Sequence, residues 1–175
     1  PMACVLKLQL VLEIALGLSY LHSCGIVHRD IKTANVLLTG KPRGDEAFDC
    51  AHVHAKLTDF GICTRFGMEQ TTGMGTTRYM APEIIFGPYD HRADIYSFSL
   101  LVWELMHEAV PFSNMQSLSA LLSLKDNERP PCDVPKLVSP QMAALIRRCW
   151  QESPDQRPSM TEIVDLLQHI MPGKG

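Results

Sequence analysis

His28-Arg29-Asp30-Ile31-Lys32-Thr33-Ala34-Asn35 is the stretch around which the sequence is organised, and the apolar run Val36-Leu37-Leu38 follows it directly. The stretch sets a carboxylate, a cation and a carboxamide at short, fixed intervals ahead of a predicted strand. A carboxylate can orient an attacking hydroxyl and accept its proton, a cation can offset charge on a transferred phosphoryl group, and a carboxamide oxygen can hold a magnesium ion. This combination of residue types predicts phosphoryl transfer.

Two more motifs follow along the chain, Asp59-Phe60-Gly61 and Ala81-Pro82-Glu83. The first supplies a second metal ligand, and the three motifs in this order and at this spacing form a highly specific signature. The sequence resembles the eukaryotic protein kinase family over nearly its whole length, 1–175, but it matches only the C-terminal lobe of that fold. The resemblance implies an α+β, mainly helical fold, in which a small β-hairpin carries the catalytic loop and the Asp-Phe-Gly motif.

The resemblance also assigns chemistry to individual residues. Asp30 would be the catalytic base, and Lys32 would contact the γ-phosphate of ATP, as in serine/threonine kinases. Asn35 and Asp59 would bind Mg²⁺, and Leu37 would form the floor of the adenine pocket. ATP and Mg²⁺ are thus the implied cofactors, and a protein is the implied substrate. A single Asp or Asn is more often a turn or cap residue, but the complete set argues against that interpretation.

Structural roles are implied for five further residues, namely His28, Phe60, Glu83, Asp94 and Arg157. Asp94 would accept backbone hydrogen bonds from the catalytic loop. Arg157 would form a buried ion pair with Glu83, which would tie the activation segment to the rest of the lobe.

Residues 59–83 would form the activation segment of such a kinase. Thr71 and Thr72 are the preferred phosphorylation sites, because a phosphate there could pair with Arg29, which stands directly before the catalytic Asp. Thr76 resembles the residue whose hydroxyl contacts the catalytic Asp and Lys, which favours a structural contact over modification. An ordinary polar loop is the alternative for the whole threonine cluster.

The connection at 39–54 separates two predicted strands, Val36–Leu38 and Ala55–Thr58. Kinases usually close this hairpin with only a few residues. The excess is interpreted as a solvated surface insertion, which the fold should tolerate because loop-closure entropy grows slowly with length. Binding of a partner is the alternative role for these residues.

Charge and cysteine content bear on the class of protein. The net charge of -3 gives no sign of nucleic-acid binding. The six cysteines show no Cys-x-x-Cys pair, which indicates reduced thiols in an intracellular, cytoplasmic protein. Cys50, His52 and His54 could hold a metal, but no recognisable spacing places a fourth ligand, so a polar loop is favoured.

Residues 5–21 are apolar enough to pass for a signal peptide or a membrane span. Three polar residues interrupt the run, namely Lys7, Gln9 and Glu13. Leucines and alanine recur within it at helical spacing. We therefore expect a buried helix and no membrane span.

Four helices are expected after the activation segment. A buried helix over 94–105 would anchor the lobe, although Ser99 stands where the family usually has glycine; a serine can bond back to the helix backbone. The next two are expected at 115–124 and at 139–150, the latter with a serine cap and a proline at its first position. The last is expected at 159–170, where a serine and a glutamate form a capping-box pattern.

Some parts of a complete kinase have no match in the sequence. It contains no Gly-x-Gly-x-x-Gly loop, no Val-Ala-x-Lys strand and no helix glutamate to pair with that lysine. A kinase uses these parts to hold the ATP phosphates. We therefore expect an N-terminal lobe in the full protein, and little or no activity from this chain alone.

Three interpretations remain open. The first is a partial catalytic domain of a serine/threonine kinase closest to the tyrosine-kinase-like group, which transfers the γ-phosphoryl group of ATP to protein hydroxyls. The second is a catalytically inactive half-kinase that binds a partner, for which a large exposed apolar patch would be the sign. The third, a small-molecule phosphotransferase, is disfavoured by Arg29, the Ala-Pro-Glu motif and the segment around Arg157. The intact catalytic and metal-binding residues favour the first, because folding alone does not require all of them.

Overall fold

The computed structural model describes residues 4–40, 52–61, 63–65, 77–86, 89–113, 128–132 and 139–171. Several predicted features lie outside these residues: the helix at 115–124, most of the insertion including Cys50, and Thr71, Thr72 and Thr76. The described elements are helices with two small antiparallel sheets. They form the mainly helical α+β class that the sequence predicts.

The N-terminal helix α1 (Cys4–Ser23) is the buried helix predicted for residues 5–21. Its inward face is apolar apart from Lys7, and Leu10, Val11 and Leu18 are almost fully buried. By length and composition alone α1 could also cross a membrane, but buried core helices of soluble proteins pass the same test. The burial of this face favours a core helix.

Two antiparallel strand pairs flank the predicted catalytic loop, residues 28–35. The first joins β1 (Ile26–Val27) to β4 (Thr64–Arg65). The second joins β2 (Val36–Thr39) to β3 (His54–Leu57), one residue away from the predicted bounds. The catalytic loop therefore lies between β1 and β2, and the Asp-Phe-Gly motif begins shortly after β3.

The second strand pair corrects the bounds predicted for the insertion at 39–54. Thr39 lies opposite His54 in the register, so both end residues belong to strands and the connection is shorter by these two. Gly40 then turns the chain with a φ of 113°. A Cβ atom at Gly40 would lie 1.8 Å from the His52 carbonyl oxygen, so a side chain has no room at this turn.

The central helix α3 runs over Arg92–His107, two residues longer at each end than predicted. It is buried on most sides, as expected of a helix at the centre of a core. The Ser99 hydroxyl donates to the Tyr96 carbonyl oxygen at 2.6 Å, so the serine bonds back to its own helix as predicted. The Ser97 hydroxyl lies 3.2 Å from the Ala93 carbonyl oxygen of the same helix and 2.7 Å from the Tyr79 carbonyl oxygen, and the second contact ties the chain at Tyr79 to α3.

Three more helices are described around α3: α2 (Glu83–Phe86), α4 (Pro140–Cys149) and α5 (Met160–Ile170). Both predicted caps are present. Ser139 accepts from the Met142 N–H, and Ser159 forms a capping box with the third helical residue. α5 packs against α1, and α4 packs against α3, so these four helices share one core.

Candidate active site

The catalytic loop brings Asp30, Lys32 and Asn35 into direct contact. The Lys32 ammonium lies 2.7 Å from Asp30 Oδ2. The Asn35 side-chain amide donates to the same oxygen at 2.9 Å and to the Asp30 backbone carbonyl at 2.8 Å. These bonds fix the plane of the Asp30 carboxylate and leave the carbonyl oxygen of the Asn35 amide as the atom that can ligate a metal.

A buried carboxylate on α3 holds this loop from below. Asp94 accepts the backbone N–H groups of His28 and Arg29, both at 2.8 Å, as the sequence suggests. Its Oδ2 also lies 3.0 Å from Nε2 of His22, a residue that sequence reasoning did not assign. Arg29 has a φ of 75°, a left-handed conformation that costs a non-glycine residue roughly 1–2 kcal/mol. The hydrogen bonds to Asp94 offset that strain.

His28 connects the loop to the Asp-Phe-Gly motif. Its Nδ1 accepts from the Asp30 N–H at 3.3 Å, and its Nε2 lies 3.1 Å from the Thr58 carbonyl oxygen. A carbonyl can only accept, so the hydrogen of the ring is on Nε2. The fully buried ring also lies 5.4 Å from the ring of Phe60, measured between centroids.

Asp59 stands at the end of this connection. Its neighbour Thr58 donates to the backbone carbonyl oxygen of Asn35, through the Thr58 N–H at 2.9 Å and through the Thr58 hydroxyl at 3.1 Å. Asp59 itself has a φ of 63° and is exposed. The two predicted metal ligands are therefore linked through one intervening residue.

The donor set fits a hard divalent cation that is only partly held by protein. Asn35 and Asp59 offer oxygen ligands, which Mg²⁺ prefers, and Mg²⁺ usually completes its shell with waters and substrate phosphates. Among the described residues, no group of three or more His, Cys, Asp or Glu could hold a metal. His54, considered above with Cys50, has its Nδ1 2.8 Å from Oε1 of Glu13.

Leu37 lies on β2 with 55% of its surface exposed, and Leu38 is 49% exposed. An exposed leucine next to the loop is available to contact an apolar group such as an adenine ring. The predicted floor of the adenine pocket is thus placed at the surface beside the catalytic loop.

Arg157 and Glu83 form a bidentate ion pair. Nη2 of Arg157 lies 2.9 Å from Oε2 of Glu83, and Nη1 donates to the other carboxylate oxygen. The remaining donors bond to the backbone carbonyls of Gln151, Arg92 and Glu152. All five N–H donors of the guanidinium are thereby used.

A second network, not anticipated from the sequence, centres on Glu104 of α3. Its Oε2 accepts from the Thr33 hydroxyl at 2.8 Å and from the Tyr79 hydroxyl. Burial, followed by the hydrogen bond to Glu104, raises the pKa of Tyr79 far above its usual value. The network ties the catalytic loop to the chain ahead of the Ala-Pro-Glu motif. No spacing pattern in the sequence marks it.

The sequence predicts that Arg29 pairs with a phosphate on Thr71 or Thr72, which lie outside the described residues. In the described part of the chain its guanidinium lies 5.7 Å from the centroid of the Tyr89 ring. Burial raises the pKa of Tyr89 and the positive charge of Arg29 opposes that rise. Sequence reasoning missed Tyr89, which contacts a predicted regulatory residue.

Comparison of the sequence with known proteins supports the interpretation of this site. The family model described as the protein kinase domain matches residues 5–169. Serine/threonine-protein kinase STY17 of Arabidopsis thaliana is 38% identical over 175 residues, which cover 95% of this chain and 28% of that protein. Serine/threonine/tyrosine-protein kinase HT1 of the same plant is 40% identical over 165 residues, covering 92% of this chain and 39% of HT1.

A relative from another organism gives a similar match. The Dictyostelium discoideum protein named "Probable serine/threonine-protein kinase drkC" is 36% identical over 168 residues, covering 91% of this chain and 21% of drkC. The chain thus spans less than two fifths of the length of STY17, HT1 or drkC.

Proposed function

This chain belongs to the protein kinase domain family, and from that premise we propose that the protein containing it is an ATP-dependent serine/threonine protein kinase. The observation that carries the proposal is the contact of Lys32 and Asn35 with one carboxylate oxygen of Asp30. Folding alone gives no reason to bring a carboxylate, an ammonium group and a carboxamide together in one largely buried loop. Similarity to STY17 and HT1 supports a place in the tyrosine-kinase-like group.

The residues of the chain would divide the work of transfer between them. Asp30 orients the serine or threonine hydroxyl and accepts its proton as the oxygen bonds to the γ-phosphorus and the bond to the β-phosphate oxygen breaks. Lys32 offsets the negative charge on the phosphoryl oxygens. Because Asp94 fixes the backbone of the loop, the two side chains act from a rigid support.

Asn35 and Asp59 would hold Mg²⁺, which when bound with ATP neutralises the phosphate charge. We propose that the β2–β3 ribbon serves to keep these two ligands together, since Asn35 directly precedes β2 and Asp59 follows β3 after one intervening residue, Thr58. Lys32 and Leu37 would complete the ATP contacts made by this lobe. An N-terminal lobe in the full protein would supply the rest.

Regulation and location belong to the same proposal. Residues 59–83 would act as the activation segment, with Thr71 or Thr72 phosphorylated and paired with Arg29, while Thr76 would contact the catalytic residues. The insertion at 39–54 would be a surface element. The protein would act in the cytoplasm on other proteins.

A second function is favoured by one observation. Leu37 and Leu38 expose about half of their surface on neighbouring positions of one strand. Contiguous exposed apolar patches often mark interaction sites, so a half-kinase that binds a partner without catalysis would be the alternative function if these leucines belong to such a patch. Catalysis requires the Asp30 carboxylate, whereas partner binding without catalysis does not.

The test is phosphoryl transfer from ATP to a serine/threonine peptide library by the full-length protein and its Asp30→Asn variant. Loss of the general base should lower the rate about 10²–10⁴-fold. Asp165→Asn, the same chemical change on the exposed face of α5, is the matched control and should leave the rate unchanged.

Either of two results would reject the kinase assignment. One is turnover by Asp30→Asn equal to that of the control. The other is no turnover by the correctly folded wild-type protein. Together with binding of a partner protein, that result would favour the half-kinase that binds without catalysis.

A further inference from the structure

The turn that follows α3, residues 108–112, is strained at both ends. Glu108 has a φ of 52° and Phe112 a φ of 54°, so two residues with side chains adopt the left-handed conformation that favours glycine. Such residues persist only where the surrounding structure holds them, and they cluster at functional sites. The turn belongs neither to the catalytic loop nor to the Asp-Phe-Gly motif, which makes it a separate candidate for a functional role.

Arg78, which stands shortly before the Ala-Pro-Glu motif, holds the second end of the turn. Its Nη1 donates to the Pro111 carbonyl oxygen at 3.2 Å and to the Phe112 carbonyl oxygen. These two carbonyls flank the Cα of Phe112, so the φ and ψ of Phe112 set the angle between them. In an extended strand, with its two-residue repeat, they would point in opposite directions. One nitrogen therefore reaches both oxygens only while Phe112 keeps its turned conformation, and the two bonds stabilise that conformation.

Lys7 of α1 holds the first end of the turn. Its ammonium lies 2.8 Å from Oε1 of Glu108 and 3.5 Å from the Met106 carbonyl oxygen. The Lys7 side chain is only 5% exposed, and a lysine is almost never buried unless it is paired. Cations from two elements far apart in the sequence thus fix the two ends of one turn.

The turn lies beside the catalytic loop. A cleft of about 400 Å³ has Thr33 of that loop and residues 108–110 among its lining residues. Val110, at the tip of the turn, is 45% exposed and also lines a second cleft of about 390 Å³, so the tip is a ridge between the two clefts. Thr33 stands three residues after Asp30, and a peptide whose hydroxyl reaches Asp30 therefore runs close to this ridge.

We propose that Arg78 is a positioning residue for the protein substrate and that it acts through this turn. By holding Phe112 in its left-handed conformation, Arg78 keeps the exposed tip at Val110 in one place, where it forms a fixed wall for the peptide beside Asp30. A wall that is ordered before binding spares the complex the entropy cost of ordering a loop. The proposal rests on the proposed kinase function, because its substrate is the protein that accepts the phosphoryl group.

The kinetic test measures peptide phosphorylation by the full-length protein and by its Arg78→Met variant, whose side chain is unbranched and has no donor. The KM for the peptide should rise about tenfold, as loss of hydrogen bonds from a charged donor predicts. The kcat and the KM for ATP should not change, because the lost interaction positions the peptide alone. A fall in kcat with an unchanged peptide KM, or an equal rise in both KM values, would overturn the proposal.

Two further variants make the kinetic result specific. A single nitrogen of Arg78 makes both bonds, and the lysine ammonium also presents several donors on one nitrogen. Arg78→Lys should therefore have a peptide KM closer to that of the wild type than to that of Arg78→Met, and equal values for the two variants would contradict the assigned bonds. Arg147→Met, the same change at an exposed position of α4, should leave all three constants unchanged.

A structural measurement separates this proposal from the kinase function. The ¹³Cα and ¹³Cβ chemical shifts of Phe112, read after selective phenylalanine labelling of the full-length protein, report its φ and ψ. They should be those of a left-handed residue in the wild type and in Arg78→Lys, and should change in Arg78→Met. If Arg78→Met does not fold, Arg78→Gln, which keeps one amide donor, takes its place.

The two failures are then distinct. Unchanged Phe112 shifts in Arg78→Met would refute the positioning role, even with a raised KM. Wild-type protein without turnover but with the expected Phe112 shifts would reject the kinase function, and the substrate role with it.

Discussion

Replacement of Arg157 by alanine should be among the most destabilising single changes in this chain. The guanidinium is fully buried, and the side chain of its partner Glu83 is only 15% exposed. Arg157→Ala leaves that carboxylate without its counter-ion and strips three backbone carbonyls of their donors. It also removes a cation that lies 5.1 Å from the centroid of the Tyr96 ring.

The size of the effect follows from these contacts. Breaking a buried ion pair by removing one partner costs about 3–5 kcal/mol, and a cation–aromatic contact contributes about 0.5–2 kcal/mol. For a domain of this length, 1 kcal/mol shifts the Tm by about 2–4 °C, so the ion pair alone predicts a fall of about 6–20 °C. Thermal unfolding followed by circular dichroism measures it.

Two further variants make the result specific. Arg147→Ala removes an exposed arginine of α4 and should shift the Tm by no more than about 2 °C. Glu83→Gln should also destabilise, and the double variant should lose less than the sum of the single losses, by about 0.5–3 kcal/mol. The reasoning is refuted if Arg157→Ala has the same Tm as the Arg147→Ala control. It is also refuted if the double variant loses as much stability as the two single variants together.

Three other changes have defined outcomes. Glu104→Ala removes the acceptor that the Thr33 and Tyr79 hydroxyls share and should lower the free energy of unfolding in urea by about 1–3 kcal/mol; an unchanged midpoint would contradict the network. Burial alone would raise the pKa of Glu13, but hydrogen bonds from His54, Ala55 and Gln9 bring it below its usual 4.5. Its folded pKa is thus depressed, and its contribution to stability is present above 4.5 and lost as the pH falls further. Glu13→Gln should therefore destabilise at pH 7, and its effect should shrink as the pH falls below 4.5; an effect that does not change with pH would exclude this linkage. Ser159→Ala removes the cap of α5 and should cost about 0.5–2 kcal/mol in the same urea assay, whereas Ser159→Gly should cost less.

Local features of the fold could be predicted from the sequence because their partners are close along the chain. The capping box at Ser159 involves residues three positions apart, and the Ser139 cap of α4 also involves residues three positions apart. The contact of Asp30 with Lys32 and Asn35 joins positions within one loop. Spacing alone constrains such geometry.

Contacts between positions far apart in the sequence could be predicted only through the family resemblance. Contacts of residues to which the resemblance assigns no role were missed. Glu104 is 71 positions from Thr33 and 25 from Tyr79, and no periodic pattern links them. His22 contacts Asp94 across 72 positions. These pairs depend on how α3 packs beneath the loop, which is a property of the whole core and not of any short segment.

The two hydrogen bonds that Asp94 accepts have a consequence for the motions of the catalytic loop. Loop amides normally exchange their hydrogen with solvent through small local openings, whereas amides of a core exchange only when the whole structure opens. The N–H groups of His28 and Arg29 donate to the carboxylate of Asp94, a residue that is 1% exposed and lies in the middle of the core. Their release requires α3 to separate from the loop. These two loop amides should therefore exchange with deuterium as slowly as those of α3 itself, so that the backbone supporting Asp30 behaves kinetically as part of the core.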